Sequence, residues 1–158
     1  MRKLLIVAML FLLSGCAVKQ IQKSETVAVV WKTKSLKFIG TGFLQFSGSK
    51  VELSVYSTGV PVLKMRLGKN VCIENNGCLS YKSFNRRFLH PSYPQKLIYN
   101  LFMGKPLFHG ANLHRTKRGF EQRIANENFD IIYRFNLNEI YFKDKKNKIL
   151  VKIRKLNG

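Results

Sequence analysis

Three cysteines, three histidines and eight carboxylates carry the nucleophilic, metal-binding and acid–base chemistry available to this 158-residue chain. His90, His109 and His114 fall in loop-like or strand-edge segments. His109 and His114 are five positions apart, which matches no helical metal pair, and no Asp or Glu lies near them in sequence. The eight acids are scattered without a carboxylate pair. Nucleophile elbow, phosphate-binding glycine loop and zinc-finger cysteine spacing are all missing from the sequence. These materials point to a protein that is not an enzyme and that uses no metal and no cofactor. Cys72 and Cys78 flank Ile73-Glu74-Asn75-Asn76-Gly77, whose Asn-Gly is a strong hairpin signal. If Glu74 faces Cys78 across a three-residue loop, Cys72 is only a diagonal neighbour, at ~7–8 Å between Cα atoms. That lies just beyond the reach of a disulfide unless a bulge closes the gap. A structural disulfide and two free thiols are both open.

Cys16 has a more specific setting. The chain begins MRKLLIVAMLFLLSGC: two basic residues, ten unbroken apolar residues at 4–13, then small residues. This is the pattern of a secretory signal peptide. The run is shorter than the ~20 residues of a transmembrane helix. A buried first helix is the other reading, but no polar residue breaks the run to give it an amphipathic face. Leu13-Ser14-Gly15-Cys16 resembles a bacterial lipobox. The resemblance implies that the Cys16 thiol receives a diacylglyceryl group, that residues 1–15 are removed, and that the new amino terminus is acylated. Ordinary cleavage leaving a free thiol is the alternative. Ala17 follows where inner-membrane lipoproteins typically carry Asp, so the resemblance implies an outer-membrane lipoprotein facing the periplasm.

Such a leader changes the meaning of the charge. The chain holds 28 Lys and Arg against 8 Asp and Glu, a formal +20. A charge of that size first suggests nucleic acid. Removing Arg2 and Lys3 leaves +18 on residues 16–158. A periplasmic protein does not meet nucleic acid, and the expected partner of the charge is an anionic membrane surface. The alternative is solvated charge that aids solubility.

The elements that hold these residues read mainly as strands. Val51, Leu53 and Val55 alternate with polar residues, as do Leu63, Met65 and Leu67. So do Phe129, Ile131, Tyr133 and Phe135, and Ile149, Val151 and Ile153. Period-two alternation means one apolar and one wet face. Gly- and Asn-rich turns separate the runs, which suggests one antiparallel meander. Leu97, Ile98, Leu101 and Phe102 fall at helical spacing between Pro94 and Gly104, giving a short amphipathic helix. Residues 83–89 add another helical turn. The expected fold is mainly β: a single curved antiparallel sheet, a half-open barrel, with one or two short helices covering an apolar cavity. One domain is expected, with residues 16–25 as a lipidated tether and 26–158 as the body.

The order of these elements resembles the outer-membrane lipoprotein receptor LolB, over about residues 38–156. Residues 40–46 (GTGFLQF) resemble its first strand, and 56–63 (YSTGVPVL) its loop into the next. Residues 70–77 resemble the following hairpin, 94–106 (PQKLIYNLFMGKP) the helix ending in Gly-x-Pro, and 140–154 the last two strands. The resemblance implies a LolA/LolB-like fold and a lipoprotein that accepts the acyl chains of other lipoproteins from a periplasmic LolA-like carrier. It would then insert them into the outer membrane, acting as a monomer. The implied cavity lining is Leu44, Phe46, Leu53, Val55, Leu63, Met65, Leu97, Leu101, Ile131, Phe135 and Val151. For each of these, plain core is the other reading. The implied membrane-insertion loop is Thr58, Gly59 and Val60. Thr58 stands where the family has an exposed leucine, leaving Val60 or Val62 to supply an apolar tip. The rival function is a non-enzymatic envelope lipoprotein with an assembly-accessory or cell-wall or lipid-binding role.

Overall fold

The computed structural model describes residues 23–156. Cys16 and the leader lie outside them. Eleven strands form one antiparallel sheet. In chain order they are β1 (Lys23–Lys32), β2 (Lys37–Ser47), β3 (Lys50–Ser57), β4 (Val60–Leu67), β5 (Val71–Ile73) and β6 (Gly77–Leu79). After two helices come β7 (Leu113–Thr116), β8 (Gly119–Ala125), β9 (Asp130–Asn136), β10 (Glu139–Asp144) and β11 (Ile149–Lys155). The spatial order is β6-β5-β4-β3-β2-β1-β11-β10-β9-β8-β7. The sheet is not closed: β6 and β7 are its edges, and both are short, which limits the unpaired backbone they present.

Alternation dictates which face is buried. On β3, Val51, Leu53 and Val55 are buried while Glu52 and Ser54 are not. Ile149, Val151 and Ile153 do the same on β11. Glycines let neighbouring backbones approach closely. A Cβ on Gly42 would sit 1.8 Å from the Ser54 carbonyl oxygen, and one on Gly119 would sit 1.8 Å from that of Phe135. Glycine inside a strand marks such close approach or a tight bend.

The segment between β6 and β7 covers the apolar face. It holds α1 (Tyr81–Phe88) and α2 (Leu97–Phe102). The Ser80 side chain caps α1 by accepting from the Ser83 N–H at 3.2 Å. Tyr81, Phe84 and Phe88 are buried from α1, and Leu97, Ile98, Leu101 and Phe102 from α2. Trp31 of β1 stacks on Phe38 and meets Phe102 edge-on, with centroids 6.0 and 6.3 Å apart. Buried polar groups clasp this cover to the sheet. Asp144 of β10 accepts from the Tyr93 hydroxyl and from Asn147 Nδ2. Gln122 of β8 accepts from the Leu107 N–H at 2.7 Å and donates to the Leu107 and Ala111 carbonyls at 3.0 and 2.8 Å. Asn85 donates to the Pro94 carbonyl at 3.0 Å, tying α1 to the loop before α2.

Two expectations need correction. Residues 23–25 are not tether but the start of β1, where Lys23 pairs with Phe46 and Glu25 with Leu44. Charged residues at a strand end read as solvated linker in sequence, yet Glu25 is held there by ion pairs. The β5–β6 turn also sits one residue earlier than expected, which moves the pairing by two: Ile73 faces Gly77, so Cys72, not Glu74, faces Cys78 directly. Positive φ at Asn75 and Gly77 sets this turn over Glu74, Asn75 and Asn76. The two sulfurs are bonded, with Cα atoms 3.9 Å apart.

Candidate functional site

A pocket of about 190 Å³ opens where β1 begins. Its floor is apolar: Leu44, Phe46, Phe102, Phe135, Ile140 and Ile153. Its rim is charged. Glu25 lies 2.6 Å from the Lys23 ammonium and 2.8 Å from that of Lys155. Burial alone would raise the Glu25 pKa, but hydrogen bonds and charge from Lys155 and Lys23 outweigh it and hold the carboxyl below its ordinary value. The site is thus a greasy hollow framed by an ion triad in which two lysines share one carboxylate.

The cavity residues expected from sequence divide into two groups. Leu44, Phe46 and Phe135 line the pocket. Leu53, Val55, Leu63, Met65, Leu97, Leu101, Ile131 and Val151 are buried in the core instead. The reason is the cover: the apolar faces of α1 and α2 lie on the same side as these residues and fill the space that an open sheet would leave. Phe102, Met103, Ile140 and Ile153 were missed as pocket residues. Ile153 was visible as an inward strand position, and Phe102 as part of the helical stripe. Neither pattern says which inward residues meet the opening.

Thr58 and Gly59 form a two-residue hairpin turn, both with positive φ, between paired Ser57 and Val60. Val60 is 60 % exposed. A register shift in β4 pairs Pro61 with Tyr56 and Leu63 with Val55. Val62, left between them, is 42 % exposed. This apolar tip sits at the end of the sheet away from the pocket, because β3 runs from Lys50, beside Ser47, up to Ser57. Its distance from the pocket was not legible from the loop sequence alone.

The histidines do not converge on a site. His90 lies in the loop after α1, where its Nδ1 accepts from the Ser92 N–H at 3.3 Å. His109 lies in a 3-10 turn and His114 on β7. Among the described residues, no three His, Cys, Asp or Glu side chains are grouped for a metal, and no helix is long and apolar enough to cross a membrane. The fold and pocket define a class: an unclosed antiparallel sheet, wrapped over a helical cover, with an apolar pocket at one end. No family model and no curated protein matches the chain.

Proposed function

We propose that this chain is a LolB-like outer-membrane lipoprotein that accepts acyl chains from a periplasmic carrier and passes them to the bilayer. One observation carries the reading: the unclosed sheet has two short helices over its apolar face and an apolar pocket beside them. Moving a triacylated protein through water is costly. At about 0.8 kcal/mol per methylene, three chains of some fifteen methylenes cost ~35 kcal/mol to expose. Transfer therefore has to run from one apolar shelter to the next. The present pocket is below the ~300–1,000 Å³ of drug-sized sites, so this reading requires α1 and α2 to move outward when a chain enters. Cys16 supplies the anchor, and the spread basic charge favours anionic partners, whether head groups or an acidic carrier face.

The filled core favours a second reading, an envelope lipoprotein with an assembly-accessory or cell-wall role. The two are separated by an unlipidated mature chain, Cys16→Ala, mixed with an apolar fluorescent dye and with a carrier loaded with lipoprotein. Dye enhancement and uptake of the cargo are expected. A chain that takes neither removes the transfer reading. In the native cell, depletion should leave other lipoproteins in the carrier or the inner membrane.

A further inference from the structure

We propose that the end of the sheet where β1 begins is a docking surface for an anionic bilayer, with Leu137 and Leu156 as apolar contacts and Lys117, Arg118 and Arg154 as cations. This rests on the reading of Cys16 as a lipid anchor. Residues 17–22 alone separate Cys16 from Lys23. At ~3.3–3.6 Å per residue they extend at most about 25 Å, so the anchor holds this end near the membrane.

The register brings both leucines to the same end. The Lys155 N–H donates to the Asn138 carbonyl, and the Leu156 N–H to that of Thr26, each at 2.9 Å. Leu137, at the β9–β10 turn, is 63 % exposed, and Leu156, just after β11, is 44 % exposed. Beside Leu137 a cleft of about 530 Å³ lies between the β7–β8 and β9–β10 turns, lined by Lys117, Arg118 and Arg154. The acid in that cleft, Glu139, is already ion-paired with Lys152 at 3.1 Å. Exposed leucines among cations suit a surface that is anionic outside and apolar just beneath.

The Thr58–Val60 tip does not share this end. Tyr56 aligns with Thr41, and Thr41 with Ala28, so the tip lies beyond the level of Ala28. Seven strand residues from Lys23, at ~3.3 Å each, put it roughly 20 Å further from the anchor. It then faces the periplasm, where a carrier arrives. The pocket framed by Glu25 opens at the docked end, so an acyl chain leaving it passes directly into the bilayer. This shifts insertion from the loop to the pocket mouth.

The test uses the unlipidated mature chain, Cys16→Ala, sedimented with vesicles of phosphatidylcholine alone or mixed with phosphatidylglycerol. Binding to the mixed vesicles only is expected. Lys117→Ala/Arg118→Ala/Arg154→Ala should weaken it on the order of a hundredfold. Leu137→Ser/Leu156→Ser should weaken it about tenfold or more. Val60→Ser/Val62→Ser should leave it unchanged. All these positions are at the surface, and a thermal melt checks that each variant folds. Equal binding to neutral vesicles, no binding to either, or loss through Val60 and Val62 instead of the leucines each overturns the proposal. Dye and cargo uptake report separately on the transfer reading: uptake without vesicle binding overturns docking alone, and vesicle binding without uptake overturns transfer alone.

Discussion

Asp144 is fully buried, yet its carboxylate is the acceptor around which one end of the cover is organised. Burial would raise its pKa. Hydrogen bonds from Tyr93, Asn147 and the Asp130 N–H outweigh that and hold it below the ordinary carboxylate range. Tyr93 pays the reciprocal cost, since its own phenol is pushed far up by burial and by Asp144. A depressed folded pKa means the unfolded state binds more protons in acid. Its stabilisation is complete above the unfolded value of ~3.9 and is lost as pH falls through the folded value. Urea melts from pH 6 to pH 2 should therefore show an acid-labile component that Asp144→Asn reduces. Tyr93→Phe should cost about 1–3 kcal/mol at pH 7, because it strips a donor from a buried charge. Gly42 is a second sensitive position. Its missing Cβ would meet the Ser54 carbonyl, which is backbone and cannot rotate away. Gly42→Ala should lower the melting temperature far more than an exposed substitution such as Thr41→Ala, and equal melting of the two would show that β2 and β3 separate easily.

At the scale of elements, the disulfide holds the β5–β6 edge. It closes a short loop, with cysteines six residues apart. Loop-closure entropy gives such a link about 2 kcal/mol. Cys72→Ser/Cys78→Ser should lower the melting temperature by about 5 °C and speed amide exchange in 71–79 first; unchanged exchange there would show that packing alone secures the edge. The same hairpin shows what sequence could not supply. Asn75-Asn76-Gly77 announced the turn, but the backbone angles at Asn75 and Gly77 choose which residues face each other, and moving the turn by one residue changes every pairing by two, which separates a diagonal pair from a bonded one. β3, β4, β9 and β11 were legible because each has one wet face and one dry face, and period two survives even when the wet residues are lysines. The start of β1 was not, because Lys23 and Glu25 look solvated until Lys155, 130 residues downstream, pairs with Glu25. The helix over 97–102 was legible from its stripe. The pocket was not, since it is whatever volume the stripe leaves unfilled.

For the whole molecule, the decisive question is whether the cover moves. Its apolar faces are continuous with the sheet's core, so lifting it exposes much greasy surface unless an acyl chain replaces the contact. Polar clasps set a separate, smaller barrier. Gln122 is fully buried and makes its hydrogen bonds to the Leu107 and Ala111 backbone, at the end of the cover that leads into β7. Gln122→Ala leaves those backbone groups unsatisfied when the cover is closed, at about 1–3 kcal/mol. In the open state the same groups reach water. The substitution therefore penalises the closed form and shifts the balance toward the open one. Stopped-flow mixing with an apolar dye should show faster uptake by Gln122→Ala than by the parent, on the order of tenfold, together with a lower melting temperature. A variant that melts lower but takes up dye no faster would mean that the cover is a fixed part of the core. The pocket would then stay too small for an acyl chain, and acyl transfer would give way to the envelope-binding reading.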